Sequence, residues 1–88
     1  GAEAKYLVAL QWYNAGNYAS AEKEILNFID QSTPHAYWLA RSFILLSDVY
    51  VAMDKKLDAR QYLLSLQQNY QADDDIASMI NERLEKLK

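Results

Sequence analysis

The chain has no cysteine, one proline, two glycines and one histidine in 88 residues. Without cysteine there is no disulfide, no thiolate metal site and no thiol nucleophile. Two glycines are too few for a phosphate-cradling loop. Few helix breakers beside many Ala, Leu, Tyr and Lys predict an all-α chain with short connections. A basic excess is also missing. The net charge is −3 and the pI about 4.9, which argues against a nucleic-acid binder, a class that normally shows a basic patch or stripe, and mildly against an anionic membrane surface. No apolar run nears the roughly 18 residues of a membrane span, so no direct membrane insertion is expected. The opening GAEAKYLV lacks the basic start and cleavage pattern of a secretory leader.

What is present is helical periodicity. A first helix is predicted over 3–15, stopped by Asn14-Ala15-Gly16-Asn17. A second restarts near Tyr18 with an apolar stripe of Tyr18, Ala21, Ile25, Phe28 and Ile29, and ends before Pro34. A third, from His35 or Ala36 to Met53, carries apolar residues on more than one face, as a helix buried on several sides does. A fourth spans 57–70 with Leu57, Arg60, Leu63, Leu64 and Leu66 along it. A fifth, 76–87, has the stripe Ile76, Met79, Ile80, Arg83, Leu84 and Leu87, a Glu82–Lys86 pair on its wet side and a basic last turn.

The chain also repeats itself. Val8-Ala9-x-x-Trp12 followed by Ala21-x-x-x-Ile25 returns as Leu46-Ser47-x-x-Tyr50 followed by Ala59-x-x-x-Leu63, at an interval of 38 residues. Ala9, Ala21, Ser47 and Ala59 are small where a helix core usually carries more bulk. Helices approach to about 8–10 Å only where the intervening side chains are short, so each pair marks a close crossing. Trp12, Tyr50 and Tyr62 read as packing residues.

This pattern of large apolar, small, aromatic, then Ala and large apolar resembles the tetratricopeptide repeat. Phe43, Leu46, Ser47, Tyr50, Ala59 and Leu63 match it closely; Lys5, Val8, Ala9, Trp12, Ala21 and Ile25 match with Lys5 in place of an aromatic. Gly16 fits the turn glycine, and Ala77, Ile80, Asn81 and Leu84 fit the opening helix of a third unit. The usual period is 34, and the four extra residues, about one helical turn, belong at the start of the third helix, from Pro34 through Trp38. The resemblance implies a right-handed α-solenoid: unit one over 3–33, unit two over 35–71 and a C-terminal capping helix over 73–88. It further implies a non-enzymatic scaffold that binds a partner peptide or protein on the concave face of the first and third helices. Position by position that face holds Tyr6, Leu10, Tyr13 and Asn14 from unit one, and Arg41, Ile44, Asp48, Val51 and Ala52 from unit two. Leu10 and Asp48 stand where the family's carboxylate clamp has Asn, so that clamp is not expected. The alternative is a structural or oligomerisation module using the same face to form a homo-oligomer. The tone of YWLARSFILLSDVY resembles bacterial cell-envelope members of the family, which points to the periplasm, with the cytoplasm open.

Chemistry is sparse. His35 reads as an exposed turn residue. Asp73, Asp74 and Asp75 lack the spaced oxygens and glycine of a calcium loop and read as helix caps. No catalytic residue, cofactor or metal is expected.

Overall fold

The computed structural model describes residues 1–31 and 33–88. It is all-α: α1 (Ala2–Asn14), α2 (Tyr18–Asp30), α3 (Ala36–Ala52), α4 (Lys56–Asn69) and α5 (Ile76–Lys86), each within about two residues of its predicted bounds. α1 packs on α2 and α3 on α4, each pair joined by three residues. α3 also touches α1, α2 and α5, and α5 packs on α3 and α4. The many-sided apolar pattern of α3 follows from this, since every other helix lies against it. Eight of its residues are buried, including Ser42 and Ser47. Both hydroxyls are satisfied locally: Ser42 Oγ donates to the Trp38 carbonyl at 2.8 Å and Ser47 Oγ to that of Ile44 at 2.7 Å.

The small residues lie at the crossings. Ala21 and Ala59 have no exposed surface, and Ala9 and Ser47 are buried beside them. The three alanines join Ile25, Leu45, Leu46 and Val49 in a core that runs through both helix pairs; Ala40, Ile44, Leu63, Leu66, Ile76 and Ile80 form a second core under α5. α4 corrects one expectation. Its buried stripe is Ala59, Leu63 and Leu66, whereas Leu57 is 82% exposed because it lies on the side of the helix away from Leu63.

The two turns share one hydrogen-bond pattern at the 38-residue offset. After α1, the amides of Ala15, Gly16 and Asn17 donate to the carbonyls of Gln11, Tyr13 and Trp12; after α3, those of Met53, Asp54 and Lys55 donate to Val49, Val51 and Tyr50. The bond from Asn17 to Trp12 is 2.9 Å and its counterpart from Lys55 to Tyr50 is 2.7 Å. This is the left-handed helix stop, with Gly16 at φ 78° and Asp54 at φ 60°. Aspartate tolerates that region better than most residues but less well than glycine. Opposite effects are therefore expected: Gly16→Ala lowers stability by about 1 kcal/mol, and Asp54→Gly raises it by about 0.5 kcal/mol. Urea midpoints at constant slope measure both; equal signs would refute the shared turn.

α3 has 17 residues and α1 has 13, so the additional turn falls at the start of α3, as expected. Its aromatics are used. Trp38 lies against Tyr6 with ring centroids 5.4 Å apart, and the Tyr37 hydroxyl donates to Asp75 Oδ1 at 2.9 Å, tying α3 to the start of α5. Asp74 caps α5, its Oδ1 accepting from the Ile76 amide at 2.9 Å, while its other oxygen accepts from the Tyr70 hydroxyl. That bond first, with some burial, pushes the Tyr70 phenol up to about 12. No helix among the described residues is long and apolar enough to cross a membrane.

Candidate functional site

The residues of the face expected from the sequence fall in three different surroundings. At its upper end, Tyr6 is buried under the start of α3. Arg41 is half-buried there. Its Nη1 donates to the Tyr37 hydroxyl at 2.9 Å and its Nη2 to the Tyr6 hydroxyl at 3.2 Å. The guanidinium carbon lies 5.1 Å from the Tyr6 ring centre and 5.8 Å from those of Tyr37 and Trp38. A planar cation that bonds hydroxyls while resting on rings suits Arg and not Lys. Nε, turned into this aromatic box, is buried without a hydrogen-bond partner. Burial opposes the charge, but the bonds to Tyr37 and Tyr6 outweigh it and hold the guanidinium pKa above its ordinary value. The box fastens α1 to α3.

In the middle, Ile44 is buried in the core under α5, and Leu10 is half-buried against the core below α1. These two residues, with Tyr6, form packing that the chain provides for itself.

At the lower end the face opens into a cleft of about 420 Å³. Tyr13 comes from the last turn of α1, Asp48 and Val51 from α3, and Arg83 and Lys86 from α5, with Leu87 just past its end and Lys56 at the start of α4. Asn14 and Ala52 are exposed beside it. Its floor is a two-pronged ion pair: Arg83 Nε to Asp48 Oδ1 at 3.0 Å and Nη2 to Oδ2 at 3.1 Å, each side chain 24% exposed. Nη1 of Arg83 donates further to the Met79 carbonyl at 3.4 Å. The fork geometry fixes both partners in one orientation. Tyr13 packs its ring 5.7 Å from that of Tyr18; burial, then the Asp48 charge, raises its phenol pKa, so it stands in the cleft as a neutral hydroxyl. Lys86 pairs loosely with exposed Glu82 at 3.6 Å, and Lys56 makes no ion pair with any described residue.

The cleft therefore offers apolar area from Val51, Leu87 and the Tyr13 ring, with cations at the rim. Ser47, the hydroxyl in its wall, donates to its own helix. His35 lies exposed at the far end of α3, and Asp74 and Asp75 are engaged at the start of α5. Arg83 and Leu87 were missed as site residues by sequence reasoning. One signal was available: Arg83 interrupts the apolar stripe of α5, and a cation on a buried stripe requires a counter-charge, which Asp48 supplies.

One further expectation changes. Trp12, read as a packing residue, is 39% exposed, because no helix lies on that side of α1. Comparison with family models, with curated proteins and with solved structures gives no match.

Proposed function

We propose that the chain is a non-enzymatic protein-interaction module of tetratricopeptide type, with α1–α2 and α3–α4 as two units and α5 in the place of a third unit's opening helix. The observation that carries this reading is the cleft where α1, α3 and α5 meet. The repeated turn, the buried small residues and the order of helix contacts support the repeat. In this reading a partner peptide lies across the lower cleft. It places an apolar side chain against Val51, Leu87 and Tyr13, and an acidic side chain or backbone carbonyl toward Lys56 and Lys86. Tyrosine suits such contact, giving large area and a hydroxyl at low entropic cost. Self-association through the same face is the weaker reading, since Tyr6 and Ile44 are already covered within the chain.

Selection from a random peptide library, followed by NMR mapping of the bound peptide, tests this. Shifts are expected at Tyr13, Val51, Arg83 and Leu87, and Val51→Asp is expected to weaken binding at least about tenfold, roughly 1.4 kcal/mol, with an unchanged melting temperature. Val51 is exposed, so the variant should fold. Failure to select any peptide, or shifts confined to other surfaces, overturns the reading.

A further inference from the structure

The two cores divide the helices unequally. The first takes its buried members from α1, α2, α3 and α4 and none from α5. α5 gives Ile76 and Ile80 to the second, where they rest on Ile44 of α3 and on Leu63 and Leu66 of α4. Taking α5 away would therefore open the second core and leave the first closed, apart from partly buried Leu87 at its edge. The seat of α5 is also narrow. Ala77 and Asn81 border a hollow of about 260 Å³, Glu82 and Lys86 border the cleft, and helical spacing puts these pairs on opposite flanks of the Ile76 and Ile80 stripe. Three side-chain ties cross the seam: Tyr37 to Asp75 at 2.9 Å and Gln67 to Asn81 at 3.3 Å, both exposed, and the half-exposed fork of Arg83 on Asp48. The link from α4, residues 71–75, is exposed throughout. A short helix with few buried apolar contacts and exposed bonds has the makings of a unit that opens locally.

We propose that α5 is a movable wall of the cleft: it swings off α3 and α4 as a unit while α1–α4 stay folded, and an occupant of the cleft holds it shut. This inference rests on the reading of the cleft as a peptide site. Tyr13, Asp48 and Val51 line one side of it; Arg83, Lys86 and Leu87 line the other. A peptide that spans the cleft touches both sides, so it binds the closed form in preference and shifts the population toward it. Opening removes more than contact area. Asp48 loses its forked partner, Leu87 leaves, and Lys56 remains alone of the three cations that line the cleft. An acidic or apolar side chain then meets an unpaired carboxylate where it had met a neutral pair. Docking of α5 and occupancy of the cleft therefore strengthen each other, and a change that loosens α5 from its far flank weakens binding without touching the peptide.

The experiment is hydrogen exchange of the ¹⁵N-labelled 88-residue chain in rising urea, first alone and then with the peptide selected at the cleft. Alone, the amides of residues 80–86 are expected to share one opening that costs less, and depends less on urea, than that of the slowest amides of α2. With free peptide at about 100 times its Kd they should exchange about a hundredfold more slowly, the factor by which a ligand of the closed form alone favours it. Ile80→Asp places a charge in the seat of α5 and alters no residue of the cleft lining. That variant is expected to lose protection in α5, to keep the amide spectrum of α1 and α2, and to bind the peptide at least about tenfold more weakly. Binding at unchanged strength would overturn the proposal. So would either of two results on the unaltered chain, which decide the matter whether or not the variant folds. One is a single opening shared by α5 and α2. The other is a peptide that shifts Tyr13 and Val51 and leaves α5 exchange as it was, which would leave the peptide site standing. A selection that yields no cleft peptide removes the site and this inference together.

Discussion

Ile80→Ala is expected to lower the stability of the chain by about 2–4 kcal/mol, a fall of about 10–25 °C in melting temperature for a domain of this size. Ile80 is 2% exposed and sits among Ile44, Leu63, Leu66 and Ile76. Truncating it removes buried methylenes and leaves a cavity in the apolar seam between α5 and the α3–α4 pair. At 11 residues α5 is too short to persist as an isolated helix in water, where about 12–15 residues are already marginal. Its helicity therefore comes from docking on α3 and α4. Hydrogen exchange should show the consequence locally. Amides of α5 should exchange much faster in the variant, while those of α2, on the other core, should accelerate only through global unfolding. The Arg83–Asp48 ion pair and the Tyr37–Asp75 bond remain and limit the loss. A fall of less than about 3 °C, with α5 exchange unchanged, would mean that α5 contributes little to the fold.

This dependence on long-range docking separates what was legible in the sequence from what was not. Helix limits were legible because the signals are local: Gly16 and Asn17 close α1, Pro34 follows α2, and the Asp cluster precedes α5. The small residues were legible because steric demand at a crossing shows as a gap in an otherwise bulky stripe, twice at one interval. The additional turn of α3 was legible as a departure from a period. Exposure was not. Val8 and Leu46 occupy the same place in the pattern, yet one is 43% exposed and the other wholly buried, because α3 packs against all four other helices whereas α1 packs on α2 and α3 alone among the described residues and has no helix over Val8. Nothing within α1 itself records that absence.

The candidate site shows the same division. Helical spacing groups Tyr6, Leu10 and Tyr13 on one side of α1, and Ile44, Asp48 and Val51 on one side of α3. Spacing says which residues share a face, and packing decides what covers it. The chain closes most of this face with its own residues: Trp38 and Arg41 over Tyr6, and Ile80 with its neighbours over Ile44. What remains open is the end where the helices diverge, at Tyr13 and Val51. Apolar identity alone also misled at Leu57, whose position on α4 points it away from the core.

Ala59→Leu should cost about 1–3 kcal/mol, and Ala21→Leu a similar amount. Both substitutions would improve a helix judged by hydrophobicity, and neither harms helix propensity. The penalty is steric. Each alanine is wholly buried within a core that already holds Ile25, Leu46, Val49 and Tyr50, and interiors packed to crystal-like density have no room for three further carbons. α4 would have to move off α3, or α2 off α1. A serine series isolates this cause. Ala59→Ser adds one atom and a polar group, and its hydroxyl can donate to the carbonyl of Lys55, much as Ser42 Oγ donates to the Trp38 carbonyl in α3. The expected order of stability is therefore Ala59 over Ser over Leu, whereas an ordinary apolar core position favours leucine over both. Thermal melts of the two variants beside an Ala19→Leu control on the exposed side of α2, where a change within about 0.5 kcal/mol is expected, read this directly. If leucine at 59 proves more stable than serine, the helices do not meet closely there, and the shared steric role of Ala21 and Ala59, on which the repeat reading rests, falls with it.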